Sequence, residues 1–377
     1  MKLRNLVIPT LILLAWALWI LAGRSTEWTN SDSHLDVQEE LVTDNACRRN
    51  IVAIQPYMVP SDYLIERHFT EKMKAYFEAA RQKGYLREQT VVVLPEYLGT
   101  WLVLENEKEW AADVGKLNHA MAIMISSNPV DFLKSFVRSK TEDDRLAAAI
   151  FRMKATRMAR SYARIFKQLA KEYQATINAG SILLPGPSVE GDQIRIDLSQ
   201  PLYNSSFFFG ADGSIYPAVV KKSFPTSDEL PFVKASPISE LPVFDLPIGR
   251  TAALVCADSW YPESYTKLKE LGAEVVLVNS FCSKPGAMRK FWNGYDGAPA
   301  PADVDPSVVG QITEEEAWIR YALPGRLKDS GASTGVNVFL RGELWDLGTD
   351  GQPFLIRNGE RLAVTNSRAA GIWSLCF

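Results

Sequence analysis

The sequence predicts an α/β fold, in which strands and helices are mixed along the chain. Short apolar runs rich in β-branched residues recur, as at residues 91–94 and 251–255. Runs of this length and composition are typical of buried strands. Longer segments lie between them. Residues 61–84, for example, begin with a serine and end with a glycine, as many helices do. Strands and helices mixed in this way favour a layered α/β arrangement.

The predicted elements begin with a strand at residues 51–55, followed by the helix at 61–84. A strand from residue 91 and a long helical stretch that ends near Tyr173 come next. The other predicted strands lie at residues 177–184, 206–209, 215–220, 251–255, 274–279, 334–340 and 344–347, and another helix lies at about 262–271. This order places several strand ends in the middle of the chain, where polar residues follow them.

Length and composition are those of an ordinary globular protein. The chain has 377 residues, is 47% hydrophobic and 23% charged, and has a net charge of −3, so one large domain is compatible with its length. The small negative charge gives no reason to expect a nucleic-acid partner. The four cysteines are too few for a disulfide framework in a chain of this size, and no Cys/His cluster predicts a metal site.

The N-terminal residues are predicted to lie outside the folded domain. Residues 6–22 form an uncharged apolar run, about 26 Å long as a helix, which is close to the ~30 Å hydrocarbon core of a membrane. A good cleavage site is missing after the run, so we favour a membrane anchor at 1–23 over a signal peptide. Basic residues before the run place the rest of the chain outside the cytoplasm. Residues 24–46, which are polar and acidic, are predicted to link this segment to a domain at 47–377.

Three polar residues lie just beyond predicted strands. They are Glu96, Lys222 and Cys256. The residues around Cys256 predict a sharp turn from a strand into a helix, a place where a nucleophile is both exposed and fixed. A carboxylate, an ammonium group and a thiol together form a set that is able to perform nucleophilic catalysis.

The thiol needs a base, because a thiol with an ordinary pKa of about 8.5 is mostly protonated at neutral pH. The three histidines, His34, His68 and His119, all precede Cys256 by more than a hundred residues, and none follows a predicted strand. A Cys–His pair therefore has no support in the sequence, and Glu96 is the better candidate for the base.

These residues belong to three ordered motifs that resemble those of the carbon–nitrogen hydrolase (nitrilase) superfamily. The motifs are Leu94-Pro95-Glu96-Tyr97, Lys221-Lys222-Ser223-Phe224-Pro225-Thr226 with Glu229 seven residues after Lys222, and Cys256-Ala257-Asp258 with Tyr261-Pro262-Glu263. Lesser matches include Asn178-Ala179-Gly180-Ser181 and Tyr203-Asn204-Ser205. The resemblance covers roughly residues 50–357, and it depends on the order and spacing of all three motifs together.

The resemblance implies a four-layer αββα sandwich, and it implies assembly into a homodimer or another homo-oligomer. It also implies that Glu96 is the general base and acid and that Cys256 is the nucleophile. Lys222 is expected to stabilise the tetrahedral intermediate together with the backbone N–H of Ala257, and Glu229 is expected to support the lysine. This chemistry requires no cofactor and no metal.

The activity implied by the resemblance is hydrolysis of a non-peptide C–N bond in an amide, or else in a nitrile or N-carbamoyl compound, through a cysteine thioester. Acyl transfer from the same thioester to an amine is an open alternative, and so is a catalytically inactive binding module on a membrane. Within the site, Lys221 is the alternative to Lys222. We expect Asp258 and Glu263 to hold the turn and the helix start rather than to react.

Two segments are longer than compact relatives are expected to need. Residues 103–145 contain apolar stretches that suit a lid over the pocket, a surface near the membrane or an ordinary helical insertion. Residues 286–315 are rich in Gly, Pro and Asp, and they suit either a pocket rim or a plain loop. Because of these insertions, the substrate of a relative does not transfer to this chain.

Overall fold

A computed structural model describes residues 4–24, 32–41 and 47–376. Its α-helices are α1 Arg4–Leu21, α2 Glu66–Gln82, α3 Glu109–Asp113, α4 Leu117–Ser127, α5 Pro129–Arg138, α6 Arg145–Tyr173, α7 Pro262–Glu270, α8 Glu314–Tyr321 and α9 Leu323–Arg326. Its strands are β1 Leu35–Leu41, β2 Arg49–Gln55, β3 Tyr57–Met58, β4 Gln89–Val93, β5 Thr176–Pro185, β6 Ser188–Glu190, β7 Gln193–Arg195, β8 Leu202–Phe209, β9 Val220–Lys221, β10 Phe244–Leu246, β11 Gly249–Val255, β12 Val275–Ser280, β13 Thr334–Phe339, β14 Arg341–Gly342, β15 Phe354–Arg357, β16 Glu360–Arg361 and β17 Ala370–Cys376. The prediction of an α/β fold is confirmed.

The strands form two large sheets and two small ribbons. In spatial order the first sheet is β1-β17-β2-β4-β5-β8-β9, the second sheet is β10-β11-β12-β13-β15-β16, and the ribbons are β3 with β14 and β6 with β7. β2, β4 and β5 run parallel, as do β11, β12 and β13. Because β8 is antiparallel to both β5 and β9, the strands β4 and β9 end at the same edge of the first sheet.

The two sheets pack face to face, and helices cover their outer faces. Three consecutive phenylalanines in β8 show this, since successive side chains of a strand point to opposite faces. Phe207 and Phe209 join the core that contains α2 and α6, whereas Phe208 joins the core that contains strands of the second sheet. Tyr265 of α7 packs in that second core as well. The layers therefore follow the αββα order that the resemblance implied.

Three local predictions of secondary structure are wrong. Residues 344–347 form a turn after β14, with a positive φ of 51° at Trp345, instead of a strand. The strand predicted at 215–220 is reduced to the bridge of Ile215 with Phe209 and to β9, because Pro217 has no N–H to donate to a ladder. Ser61 lies in a short 3₁₀ turn before α2, whose N-cap is Ile65 without a side-chain hydrogen bond.

Part of the segment predicted to be a linker forms an edge strand instead. β1 pairs in parallel with β17, although Val37 is its only buried residue among seven. Asp36 accepts a hydrogen bond from the backbone of Arg368, and Glu39 accepts one from Thr365. The acidic side chains that suggested a linker are therefore those of a charged sheet edge, which is a common way to protect an edge strand from further pairing. Residues 25–31 and 42–46 lie outside the described residues.

A disulfide joins the beginning and the end of the domain. Cys47, just before β2, is bonded to Cys376 at the end of β17, and these two strands are antiparallel neighbours. Cys256 and Cys282 are the free cysteines. Cys282 is thus the one thiol besides Cys256 that stays unpaired.

The structure does not support the predicted membrane anchor at residues 6–22. In the parts of the chain that it describes, no helix has both the length and the apolar character needed to cross a membrane. The C-terminal end of α1 is held against the domain, since the ammonium group of Lys108 donates to the carbonyl oxygens of Trp19 and Ala22. The backbone N–H of Glu109 also donates to the carbonyl of Gly23.

Candidate active site

Three strand ends bring the predicted site residues together between the two sheets. Glu96 follows β4, Lys222 follows β9 directly, and Cys256 follows β11 in the second sheet. β4 and β9 end at the same edge of the first sheet. All three side chains are buried, with exposed fractions of 1%, 1% and 6%. Residues that are far apart in the sequence thus form one cluster at the carboxyl ends of strands.

The ammonium group of Lys222 lies between two carboxylates. Its Nζ donates to Oε1 of Glu96 at 2.9 Å and to Oε2 of Glu229 at 2.5 Å. The same oxygen of Glu229 accepts from the backbone N–H of Thr226 at 2.9 Å. Lys221, the alternative to Lys222, instead places its Nζ over the ring of Tyr203 at 4.8 Å, away from the cluster. The structure therefore places Lys222, and not Lys221, in the cluster.

Two further residues, Asn204 and Tyr97, complete the cluster. Nδ2 of Asn204 in β8 donates to Glu96 at 2.8 Å and to Glu229 at 2.9 Å, so one amide connects both carboxylates. The hydroxyl of Tyr97 donates to Oε1 of Glu229. Neither residue has a role predicted from the sequence. Both nevertheless lie in motifs that carry the resemblance, and this position in the motifs was the signal that could have revealed them.

The backbone around Cys256 forms the sharp turn that the sequence predicts. Cys256 has a φ of 48°, in the left-handed region that non-glycine residues seldom adopt, and it opens the 3₁₀ turn Cys256–Trp260. Strained backbone of this kind is often found at functional sites. The Ser259 hydroxyl donates to the Cys256 carbonyl at 2.7 Å, and the thiol faces the Phe281 carbonyl at 3.6 Å. The half-buried Ala257 follows the thiol in the first turn.

Asp258 connects the cysteine turn to the lysine strand. One of its carboxylate oxygens accepts from the backbone N–H groups of Ser223 at 2.9 Å and Phe224 at 2.7 Å. The other oxygen accepts from the backbone N–H of Val255 at 3.2 Å. A fully buried carboxylate is therefore used to fix the two loops against each other, which agrees with the expectation that Asp258 holds the turn. Glu263 lies in the first turn of α7.

A glycine supports the turn that carries Glu96. Gly180 has a φ of +69°, and a Cβ at this position would lie 2.2 Å from the carbonyl oxygen of Pro95. The backbone of Ser181 donates to that same oxygen at 3.3 Å, and its hydroxyl accepts from the N–H of Tyr97 at 2.9 Å. Only glycine allows this close approach without strain. The Asn178–Ser181 motif thus positions the loop of Glu96.

Burial and neighbouring charges give the four ionisable groups of the cluster different protonation states. Burial raises the pKa of Glu96 to about 7, while the Lys222 ammonium opposes that change. Burial also raises the pKa of the Cys256 thiol, and the neighbouring Glu96 raises it further. For Glu229, burial is outweighed by Lys222 and by hydrogen bonds, so its pKa is lowered. For Lys222, the two carboxylates outweigh burial and raise the pKa. The resting cluster therefore holds a thiol, an ammonium group, an ionised Glu229 and a Glu96 that exchanges its proton near neutral pH.

The cluster lies in a cavity of about 510 Å³. Beyond the polar cluster, the wall is mostly apolar and comes from several elements. Its main contributors are Trp101, Leu117, Met121, Met124, Ile150, Phe151, Phe232, Trp345 and Leu347. The first insertion thus lines the cavity through α4, and Asp296 of the second insertion lies at its edge. Neither insertion is an addition remote from the site.

Within the described residues, no group of three or more His, Cys, Asp or Glu side chains is arranged to hold a metal ion. A thiol next to a carboxylate with a pKa near 7 is suited to nucleophilic attack assisted by proton transfer. A fixed ammonium group beside them is suited to stabilise an oxyanion.

Comparison with known proteins concerns the family and the fold. The family model described as carbon-nitrogen hydrolase matches residues 63–295. No curated protein matches the chain. Similar solved structures include a glutamate-to-glutamine mutant of the amidase from Nesterenkonia sp. AN1, with the acetamide moiety of fluoroacetamide added covalently at the active-site cysteine. It is 15% identical, with a TM-score of 0.51, and the match covers 89% of this chain and 92% of that one. A cysteine-to-alanine mutant of the same amidase in complex with butyramide gives the same four values, 15%, 0.51, 89% and 92%. At this identity the likeness shows the fold alone.

Proposed function

Because this chain belongs to the carbon–nitrogen hydrolase family, we propose that it hydrolyses a non-peptide C–N bond of an amide through a thioester on Cys256. The observation that carries the proposal is the buried contact of Lys222 with both Glu96 and Glu229 beside the Cys256 turn. A binding module has no need to bury an ammonium group, two carboxylates and a thiol on a strained backbone in one cavity, since each buried charge costs desolvation energy.

In the first half of the reaction, Glu96 accepts the proton of the Cys256 thiol as the sulfur attacks the carbonyl carbon of the amide. The C–S bond forms, and the carbonyl π electrons move to oxygen. Lys222 and the backbone N–H of Ala257 donate hydrogen bonds to this oxyanion. Glu96 then gives its proton to the nitrogen as the C–N bond breaks. Ammonia or an amine leaves, and the acyl group remains on the sulfur.

In the second half, the ionised Glu96 accepts a proton from water as the water oxygen attacks the thioester carbon. The new tetrahedral intermediate collapses, the C–S bond breaks, and the sulfur regains a proton from Glu96. Glu229 takes no proton in either half. It holds Lys222 in place and compensates its charge, and Asn204 and Tyr97 hold the two carboxylates.

The direct test compares the wild-type chain with Cys256→Ser, using Cys282→Ser as the control for the other free thiol. Ammonia or amine release is measured over a panel of amides, nitriles and N-carbamoyl compounds, and intact mass is measured after incubation with fluoroacetamide. We expect the wild-type chain and Cys282→Ser to turn over amides and to carry one acetamide adduct. Cys256→Ser should lose the adduct, and its kcat/KM should fall on the order of 10⁴-fold or more. An adduct and turnover that persist in Cys256→Ser would refute the proposal.

The same assay separates the two alternatives from hydrolysis. Acyl transfer predicts that an added amine diverts product from the free acid to a new amide, in proportion to the amine concentration. An inactive module predicts neither turnover nor an adduct on Cys256 with any compound of the panel. The homodimer implied by the family stays a prediction.

The pH dependence follows from Glu96. The base must be ionised to accept the thiol proton, and burial raises the pKa of Glu96 to about 7. The fraction of active enzyme therefore increases as the pH rises through about 7. We expect kcat/KM for a neutral amide to rise with pH below that value and to level off above it. The measurement is kcat/KM across the neutral range, with unfolding monitored at each pH. A profile that is flat or falls through neutral pH would contradict Glu96 as the base.

We also infer that the domain works in an oxidising, extracytoplasmic compartment. The disulfide between Cys47 and Cys376 supports this, because such bonds persist mainly outside reducing compartments. Replacing both cysteines by serine is expected to lower the free energy of unfolding by about 2–5 kcal/mol. Denaturant unfolding measures the loss, with Cys282→Ser as the control. If the native protein shows two free thiols at these positions, the inference loses its support.

A further inference from the structure

Beyond the polar cluster, the cavity wall is mostly apolar and contains several aromatic rings. Ring contacts connect Tyr97 to Trp101 at 6.4 Å and Trp101 to Trp345 at 5.3 Å, measured between ring centroids. Phe151 stacks on Phe232 at 5.9 Å. Such a wall offers a substrate large contact area and few groups that form hydrogen bonds. It therefore favours an apolar chain or ring of the substrate, because removing apolar surface from water lowers the free energy.

The part of this wall that comes from α4 is fixed in place. The backbone N–H of Leu117 donates to Asp346 at 2.9 Å, and Nε1 of Trp345 donates to the carbonyl of Ala111 at 3.0 Å. Asn128, at the C-terminal end of α4, donates to Glu107, which is fully buried and pairs with Lys154. α4 is therefore a fixed part of the cavity wall. Its residues Met121 and Met124 line the cavity with flexible apolar side chains.

The charges around the cavity are almost all negative. Asp144, Asp228 and Asp296 lie among its lining residues, in addition to Glu96 and Glu229. Among the described residues that line it, Lys222 is the single cation. Lys222 already contacts two carboxylates, and its third N–H group is the one that the proposed mechanism directs at the oxyanion, so no donor of this ammonium group is left for a carboxylate carried by the acyl group. A charged group placed in such a cavity without a partner pays a large desolvation cost.

We infer that the site selects amides whose acyl group is apolar and rejects acyl groups that carry a carboxylate. This inference rests on the proposed function, since it names the substrate class of the same site. The acyl group lies against the wall formed by Trp101, α4 and Phe151, with its carbonyl carbon at Cys256. The amide nitrogen leaves as ammonia or a small amine. The carboxylates of Asp144, Asp228 and Asp296 favour a cationic amine over an anionic one.

The first test uses the wild-type chain with linear primary amides from acetamide to octanamide. If each methylene is removed from water, kcat/KM should rise about fourfold per methylene until the chain fills the cavity. The monoamide of adipic acid has six carbons, as hexanamide does, but carries a carboxylate at the far end. Its kcat/KM should be lower than that of hexanamide by at least about 10²-fold.

The second test changes the wall itself. Met121→Lys places a cation in the cavity at a partly exposed helix position, and Leu133→Lys makes the same change on the exposed face of α5, outside the cavity. Met121→Lys should raise the ratio of kcat/KM for the adipic monoamide over hexanamide by about 10-fold or more. Leu133→Lys should leave that ratio unchanged.

The outcomes of these tests separate the two proposals. Flat kcat/KM across the amide series, or a preference for the carboxylate substrate, together with the Cys256 adduct would overturn the inference and leave the hydrolase function intact. Absence of both turnover and adduct would instead overturn the proposed function itself.

Discussion

Glu96→Gln is expected to lower kcat/KM by about 10³-fold while the protein stays folded. Glutamine has the same shape and keeps an oxygen that accepts hydrogen bonds from Lys222 and Asn204. It cannot accept the thiol proton, and general base catalysis typically contributes about 10²–10⁴-fold. Because burial opposes ionisation of Glu96, the neutral side chain also removes a desolvation cost. We therefore expect the variant to be no less stable than the wild type.

The measurements are steady-state kinetics on one amide substrate and denaturant unfolding of the same preparations. Glu105→Gln is the matched control, since burial also raises the pKa of Glu105, but this carboxylate lies outside the cavity, near Arg157. The control should retain activity close to that of the wild type. A Glu96→Gln variant with near-normal activity would show that another group takes the thiol proton.

The residues of the site could be predicted where the signal is local. Glu96, Lys222 and Cys256 each lie just beyond a β-type run, so short stretches of sequence were enough to identify them as candidate site residues. Asn204 could not be assigned in the same way, because its partner Glu96 lies 108 residues away and only the packing of β8 brings them together. An asparagine in a strand has many possible structural roles, so its residue type and position alone do not indicate that it binds a catalytic carboxylate.

The fold was predictable in its layers and less so at its edges. The buried central strands β4, β5, β11 and β12 have strong apolar patterns, whereas β1 buries one residue of seven and looks like a solvated linker. The disulfide joins residues 329 positions apart, and no pattern of spacing predicts such a pair. The apolar cavity wall could not be predicted either, since it combines side chains from the insertion, α6 and the turn at Trp345.

Lys222→Met is expected to lower kcat/KM by about 10²–10³-fold, the usual cost of losing one oxyanion donor. The change also leaves Glu96 and Glu229 buried together without their shared cation. Both carboxylates then favour their protonated forms, so the rise of kcat/KM with pH should move to higher pH. Removing one partner of a buried ion pair typically costs about 3–5 kcal/mol, and we expect a comparable loss in the free energy of unfolding.

Lys221→Met is the matched control, because it removes the same charge from the neighbouring residue. Lys221 contacts the ring of Tyr203 outside the cluster, and such a contact at a partly exposed site is worth about 0.5–1 kcal/mol. We expect this variant to keep the kcat/KM and the pH profile of the wild type. The pH–rate profiles and unfolding curves of both variants decide between the two lysines. If Lys221→Met abolished turnover and Lys222→Met did not, the assignment of the lysine from geometry would be wrong. A loss of activity in Lys222→Met without the shift to higher pH would show that Lys222 acts on the intermediate alone and does not control the protonation of Glu96.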